Sequence, residues 1–246
     1  MGAISFTNIL PDPNNPIGDA GQAGGTVGPG YASVKLASEH KIMNTRTNSG
    51  RLVSRELSGH KWTIDVAYNP MTRDEFEPIY SFLLQKRGSL SPFFISLPQY
   101  IAPRDTNFAT FVSTNNFEPA VNGNAGGTSL MIKKTGYTRA SHGTPRPGDI
   151  FTITDTNDSN HKKTYQINRV ETESNYLVAT TPPEDDDGEL RIWFTPALQR
   201  SVQASTSIIN FNNPLFRVIL KNDVQEYNLE SNNLYSFSLK LEEAQA

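Results

Sequence analysis

The chain has 246 residues, enough to bury a sizeable core, and its low hydrophobic share of 36% leaves much room for Asn, Thr, Ser, Gly and Pro, as in β proteins with long connections. A net charge of −3 and a pI near 5.8 exclude the broad positive field by which nucleic-acid-binding proteins hold phosphates. The absence of cysteine excludes disulfides, thiolate zinc sites, iron–sulfur clusters and cysteine nucleophiles.

The first thirty residues predict an N-terminal arm (1–30). "MGAISFTNIL" has neither the basic start nor the apolar stretch of a signal peptide, so we expect a soluble protein made in the cytosol. "PDPNNPIGDAGQAGGTVGPG" (11–30) is rich in Pro, Gly and Asn, and no Gly-Lys-Ser/Thr follows that would indicate a phosphate loop. An arm of this composition is often ordered against a neighbouring subunit.

Residues 31–68 predict strands. The stretch 31–56 alternates weakly and indicates one or two strands around a polar turn. "KWTIDVAY" then alternates strictly, and one face carries four large side chains: Trp62, Ile64, Val66 and Tyr68. This pattern predicts a half-buried antiparallel strand.

A helix is predicted to follow. Thr72 and Glu75 have the spacing of a capping box, and Gly88 is a suitable stop signal. Apolar residues recur at helical spacing between them: Phe76, Ile79, Tyr80, Leu83 and Leu84. Pro78 lies inside the pattern, where it should kink the helix or delay its regular part. "SPFFISLP" predicts a short strand after the helix.

The remaining sequence predicts a second β module and a return to the first. Residues 99–127 lose periodicity, and from 128 to 197 short strands alternate with turns at intervals of about ten residues. "NNLYSFSLKLEEA" places Tyr235, Phe237, Leu239 and Leu241 on one face, so we expect it in the same sheet as "KWTIDVAY". The predicted domains are a discontinuous one (31–98 with 205–246) and an inserted peripheral one (99–204).

The predicted fold class is therefore mainly β. It comprises an antiparallel β-sandwich or barrel-like domain with one short α-helix, plus a second small β-domain.

No residue pattern indicates catalysis, and we expect no catalytic, cofactor-binding or metal-binding residues. The four histidines are scattered, and "PEDDDGE" (183–189) fits a solvated hairpin tip better than a cation site. No G-x-S-x-G motif occurs. A pair of catalytic carboxylates, as in glycoside hydrolases, stays an open possibility, because the sequence does not show which of the 25 acidic residues lie close together in space.

One segment carries a resemblance to a known family. "SGHKWTIDVAYNPMTRDEFEPIYSFLLQKRGSLSPFFI" resembles the N-terminal part of tailed-bacteriophage distal tail or baseplate hub proteins, in which a tryptophan-bearing strand precedes a short acidic helix. Phe82, Arg87, Gly88, Phe93 and Phe94 match the closure that follows this helix. Residues 128–195 and 214–243 are similar to the second β-domain and to the closing strand pair of these proteins.

The resemblance implies a structural virion component rather than an enzyme. Such proteins form a ring, usually of six copies, at the distal end of the tail tube, and serve as a hub or adaptor. The implied partners are the chain itself, the tail tube protein and other tail-tip proteins. The resemblance also implies that DNA only passes through the channel of the ring, that the protein does not insert into a membrane, and that it is assembled in the host cytoplasm.

Two other functions remain open. The aromatic-bearing strands of 128–197 are compatible with a carbohydrate-binding or host-adhesion module of the tail. A glycan-degrading tail enzyme is the third hypothesis, and it rests only on the number of acids.

Overall fold

The computed structural model describes residues 8–14, 28–156, 161–171, 188–204 and 206–244. The fold is mainly β with antiparallel sheets, which confirms the predicted fold class. The chain divides into two compact units: unit 1 (Met1–Ile95 with Arg217–Gln245) and unit 2 (Ser96–Phe216). The sequence predicts the corresponding domain boundaries at residues 98 and 205. The ring-forming role predicted for the first part and the peripheral role predicted for the second stay predictions.

The elements follow one another in this order. The first part contains β1 (Tyr31–Arg46), β2 (Leu52–Tyr68), α1 (Arg73–Gln85) and β3 (Phe93–Ser96). The second contains a 3-10 turn (Pro98–Tyr100), α2 (Thr106–Val112), β4 (Glu118–Pro119), β5 (Ser129–Lys133), α3 (Arg139–His142), β6 (Ile150–Asp155), β7 (Thr164–Val170), β8 (Glu189–Thr195) and β9 (Ser207–Asn210). The chain closes with β10 (Leu215–Leu220), β11 (Asn228–Leu229), β12 (Tyr235–Ser236) and β13 (Ser238–Glu243).

The strand that alternates most clearly in the sequence, β2, is an inner strand of the first sheet. Among the described residues the sheet order is β1-β2-β13-β10-β3, and β13 pairs antiparallel with β2. Leu239 lies opposite Val66 and Leu241 opposite Ile64, so the predicted placement of the last strand in the same sheet is confirmed. The predicted core face is also confirmed, because its four members are buried: Trp62, Ile64, Val66 and Tyr68.

Helix α1 begins and ends where the sequence indicates. The Glu75 carboxylate accepts hydrogen bonds from the Thr72 amide and hydroxyl, both at 2.9 Å. Arg87 and Gly88 adopt positive φ angles of 53° and 67°, which end the helix. The buried residues are Phe76, Ile79, Phe82 and Leu83. Leu84, which shares the predicted helical spacing, is 54% exposed.

Pro78 is the sixth residue of α1, and the helix continues beyond it to Gln85. Proline has no amide hydrogen, so the carbonyl one turn earlier loses its intrahelical partner. The apolar stripe before and after Pro78, from Phe76 to Leu83, is buried. Tertiary packing of this stripe therefore outweighs the local cost of the proline.

The described parts of the predicted N-terminal arm are hydrogen-bonded to β3 and to each other. The Leu10 amide donates to the Phe94 carbonyl (2.7 Å), and the Phe94 amide donates to the Asn8 carbonyl (2.8 Å). The Gly28 amide donates to the Asp12 carbonyl (3.1 Å). The glycine-rich centre of the arm, 15–27, lies outside the described residues.

Unit 2 is a barrel-like sheet. In its described part the strand order is β4-β5-β8-β7-β6-β9. Phe117, just before β4, exchanges two backbone hydrogen bonds with Ile209 of β9, at 3.1 and 2.8 Å, and these bonds bring the ends of the sheet together. The strands predicted between 128 and 197 correspond to β5, β6, β7 and β8, and the one predicted at "NYLVATTP" lies outside the described residues.

Helix α2 is an element that the sequence reading did not anticipate in 99–127. Asp105 is its N-cap, and its carboxylate accepts from the amides of Asn107 and Phe108, both at 3.1 Å. Phe108 and Val112 are buried on one face. The sequence does contain a signal for this helix, namely an acidic N-cap residue followed by two apolar residues four positions apart. The helix is only seven residues long, so this signal is short.

Replacing Asp105 by Ala is expected to lower the free energy of unfolding of unit 2 by about 1 kcal/mol at neutral pH, the usual effect of losing an N-cap. The Phe108 amide, and after it the Arg146 guanidinium, hold the pKa of the Asp105 carboxyl below its ordinary value. Because the folded pKa is the lower one, the charge-dependent part of this stabilisation is present above the unfolded pKa and is lost as the pH falls through the folded pKa.

Urea unfolding at several pH values checks this expectation, with Asp105→Asn as control. Asparagine keeps the capping oxygen without the charge, so its stability at neutral pH should lie near that of the native chain and should depend less on pH. A difference between native chain and Asp105→Ala that grows towards acid would contradict the argument.

Candidate assembly surface

The β1–β2 hairpin extends beyond the sheet to which it belongs. β13 pairs with β2 only between Thr63 and Ala67, whereas β1 and β2 remain paired from Lys41 and Leu57 to Arg46 and Leu52. Residues 41–57, called the hairpin tip here, therefore form a two-stranded ribbon. Six strand residues span about 20 Å, so the hairpin tip projects well away from the core of unit 1.

The hairpin tip exposes both apolar and basic side chains. Five large apolar residues are between 42% and 57% exposed: Ile42, Met43, Leu52, Val53 and Leu57. Four exposed cations accompany them: Lys41, Arg46, Arg51 and Arg55. An isolated two-stranded ribbon has no core in which to bury such residues, and a cluster of exposed apolar side chains marks an interaction surface.

The base of the hairpin is held in place by side-chain contacts. The Lys61 ammonium lies 3.1 Å from the Glu242 carboxylate and 3.6 Å from that of Glu39. The hydrogen bond to Glu242 raises the pKa of Lys61. The rings of His40 and His60 lie 4.6 Å apart, a contact that the scattered histidines of the sequence did not suggest and that strand pairing creates.

A second surface of unit 1 lies at the other end of the sheet. β2 runs from the hairpin tip towards Tyr68, whose amide donates to the Phe237 carbonyl at 3.1 Å. β10 is antiparallel to β13, and the Lys221 amide donates to the Lys240 carbonyl at 2.9 Å. Residues 221–230, which follow β10, therefore lie at the Tyr68 end of the sheet and away from the hairpin tip. We call this segment the acidic end.

The acidic end combines exposed acids with exposed apolar side chains. Its acids are Asp223, Glu226 and Glu230, and its exposed apolar residues are Val224, Tyr227 and Leu229. Part of the segment, together with Ser238 and Lys240 of β13, lines a groove of about 560 Å³. The surface thus has the same mixture of apolar and charged groups as the hairpin tip, with the opposite predominant charge.

Aromatic stacking and hydrogen bonds hold the acidic end against helix α1. The Phe76 ring lies 4.5 Å from the Tyr235 ring and 5.0 Å from the Tyr227 ring. The Asp223 carboxylate accepts from the Ser89 amide (3.1 Å) and hydroxyl (2.9 Å). The Ser89 amide lowers the pKa of Asp223, so this carboxylate stays charged over the neutral range.

The described residues contain no cluster of three or more His, Asp or Glu side chains that could hold a metal ion. The run Asp185–Asp187 of the acidic sequence segment lies outside them. No helix in the described ranges is long and apolar enough to span a membrane.

Two small clusters of basic residues, 133–146 and 161–163, lie in unit 2, and the sequence alone predicts both as solvated strand or loop faces. Lys133 approaches Glu118 at 3.8 Å, and both side chains are substantially exposed, as expected of a solvated strand face. His161 and Lys163 are buried, and His161 lies 2.9 Å from the Tyr165 hydroxyl. The prediction of a solvated face at 161–163 was therefore wrong for these two residues, because both are buried.

Comparison with known proteins gives one informative match. No family model matches the chain. The chain is 26% identical over 222 residues to the distal tail protein pb9 of Escherichia phage T5, and the match covers 88% of this chain and 93% of pb9. The resemblance to distal tail proteins is confirmed.

The match to the distal tail protein spans most of the chain. The 222 matched residues exceed the length of either unit, so the match includes parts of both. The match is therefore not confined to the strand and helix of residues 57–98.

The hairpin tip is the surface that sequence reasoning missed. Its alternation is weak because both faces of the ribbon are exposed, so neither face selects apolar residues consistently. The polar turn predicted in 31–56 is confirmed, because the Gly50 amide donates to the Thr47 carbonyl (2.8 Å) and Gly50 has a φ of 81°. The segment "TNSG" between two runs of strand residues is typical of a hairpin turn.

Proposed function

We propose that the chain is a structural component of a phage tail whose copies form a ring of six at the distal end of the tail tube. The observation that carries this proposal is the match to a distal tail protein over most of both chains. The exposed apolar hairpin tip supports it, because such a surface is stable in water when a partner covers it.

The two units take different roles in this proposal. Unit 1 carries the hairpin tip and the acidic end and forms the ring. Unit 2 is a barrel with its own buried core, and it lies at the periphery as a docking platform. The partners are further copies of the chain, the tail tube protein and other tail-tip proteins.

The remaining parts of the proposal follow from this role. The ring acts as hub or adaptor in the virion, is assembled in the host cytoplasm, and lets DNA pass through its channel. No catalytic step and no cofactor enter the proposal.

Light scattering coupled to size-exclusion chromatography tests the ring over a range of concentrations. We expect a species with six times the chain mass of 27.2 kDa, seen as a ring by negative-stain microscopy. Antibody labelling of purified particles should place the protein at the distal end of the tail. A strict monomer at all concentrations that is absent from particles would overturn the proposal.

The alternative, a carbohydrate-binding module in 99–204, stays a prediction. Trp193 lies on the outer face of β8, but the Arg169 guanidinium covers its ring at 4.7 Å from the centroid. An indole already covered in this way does not offer an open platform for a sugar. Glycan-array binding by the full chain that is lost in Trp193→Ala would nevertheless establish the alternative.

A further inference from the structure

We propose that the hairpin tip of one copy docks on the acidic end of the next copy. This inference rests on the ring proposed above and names the two surfaces that would close it. The hairpin tip comprises residues 41–57, and the acidic end comprises residues 221–230.

The first argument is the position of the two surfaces. The register of β2, β13 and β10 places the hairpin tip and the acidic end at opposite ends of one sheet. A ring requires a head-to-tail contact between two different patches of the same chain. Surfaces at opposite ends of a subunit satisfy this requirement, whereas a single self-complementary patch would close a dimer.

The second argument is charge. The hairpin tip carries four cations, named above, against one acid, although the whole chain is acidic with 25 Asp and Glu against 22 Lys and Arg. The acidic end carries three acids against one cation, Lys221. Two hairpin tips would repel each other, and a hairpin tip and an acidic end attract.

The third argument is the apolar surface on both sides. The hairpin tip exposes five large apolar side chains, and the acidic end exposes three, of which Val224 is 69% exposed. Interfaces between subunits typically combine an apolar centre with a charged rim. Docking would remove both apolar groups from water and would place the arginines of the tip next to carboxylates.

The surface offered to the incoming tip is already ordered. The rings of Phe76, Tyr227 and Tyr235 are in mutual contact, and Asp223 accepts hydrogen bonds from Ser89. The tip is likewise a paired ribbon up to its turn. Docking two ordered surfaces costs less conformational entropy than folding a loop on contact.

Cysteine cross-linking provides the direct test, since the chain has no cysteine of its own. Asn48→Cys lies in the hairpin turn and Asn222→Cys at the acidic end, and both positions are exposed. In the full chain carrying both substitutions, a short bis-maleimide should produce a ladder of covalent oligomers that stops at the ring. Each single variant should remain monomeric on a denaturing gel, because equivalent residues do not meet in a head-to-tail contact.

Two cross-linking results would overturn the docking proposal. Dimers from Asn48→Cys alone would show that hairpin tips meet each other. A double variant that forms rings but no ladder would show that the ring closes through other surfaces.

Charge reversal tests the same contact without a cross-linker. Arg51→Glu with Arg55→Glu should raise the concentration needed for half-assembly by at least about tenfold, because acids would then face acids. Val224→Lys with Glu226→Lys should do the same from the other side. A 1:1 mixture of the two variants should recover assembly, because the reversed tip then meets a reversed acidic end.

A matched control applies the same charge change elsewhere. Lys134→Glu with Lys162→Glu changes two cations of unit 2 to acids and should leave the half-assembly concentration unchanged. Failure of the mixed variants to assemble, or an equal loss in the control, would overturn the inference.

The outcomes separate the inference from the ring on which it rests. Native protein that is monomeric at every concentration would overturn both. Native rings that persist in both reversed variants would leave the ring standing and remove this interface. A third outcome is that the rings persist and the hairpin tip binds duplex DNA, with the binding lost in Arg51→Glu/Arg55→Glu. This result would place the tip in the channel and would also exclude the proposed interface.

Discussion

Replacing Phe117 by Ala is expected to lower the free energy of unfolding of unit 2 by about 3–5 kcal/mol, the range for deleting a buried phenylalanine ring. Phe117 is 1% exposed, and its backbone closes the barrel by bonding to Ile209. Its ring lies 5.1 Å from that of Tyr137 and 5.8 Å from that of Phe108. The surrounding strands cannot collapse onto the cavity without breaking the closure of the sheet.

Fluorescence can follow this loss separately from unit 1, because the chain has two tryptophans, Trp62 in unit 1 and Trp193 in unit 2. In a Trp62→Phe background, urea unfolding followed by Trp193 emission reports unit 2 alone. Phe111→Ala is the matched control, since it removes the same ring from a half-buried position beside the cluster, and it should cost clearly less. Equal losses from the two substitutions would contradict the role given to Phe117.

Replacing Ile64 by Ala is expected to destabilise unit 1 by about 2–5 kcal/mol. Ile64 is fully buried in the inner strand β2, opposite Leu36 on one side and Leu241 on the other. The substitution therefore removes methyl groups from a point where three strands meet. It should also raise the concentration needed for ring assembly, because a less stable unit 1 is populated less and assembly draws on the folded form.

Trp62 emission in a Trp193→Phe background measures this effect. Thr63→Ala is the control: it is the neighbouring residue on the opposite face and is only half-buried, so its loss should stay within about 1 kcal/mol. A small effect of Ile64→Ala on Trp62 unfolding, or an equal effect of the control, would contradict the core assignment. Unchanged assembly in a clearly destabilised Ile64→Ala protein would place the ring contacts outside unit 1.

Local signals account for the parts of the fold that the sequence predicted well. The face of Trp62, Ile64 and Val66 follows from strict alternation, and the ends of α1 follow from the Thr72–Glu75 cap and the Arg87–Gly88 turn. These features depend on residues only a few positions apart. Leu84 shows the limit of such reasoning, because helical spacing alone does not say where the buried stripe ends.

The candidate interface was not predictable in the same way. Arg51 and Arg55 look like ordinary surface residues in the sequence, and so do Glu226 and Glu230. They form two surfaces at opposite ends of the sheet for two reasons. The β1–β2 hairpin extends beyond the part of β2 that pairs with β13, and β10 ends at the opposite end of the sheet, where residues 221–230 follow it. That relation joins segments more than 150 residues apart, and no local pattern encodes it.

By itself, the sequence determined the alternating strand, the capped helix, the absence of cysteine chemistry and the resemblance to distal tail proteins. Each of these is carried by short-range spacing or by composition. Only the tertiary structure decided how far the hairpin projects, which residues close the barrel at Phe117 and Ile209, and which charges lie at each end of unit 1. The physical reason is that strand pairing is a long-range contact: it sets what is exposed through hydrogen bonds between distant segments, after local structure has formed.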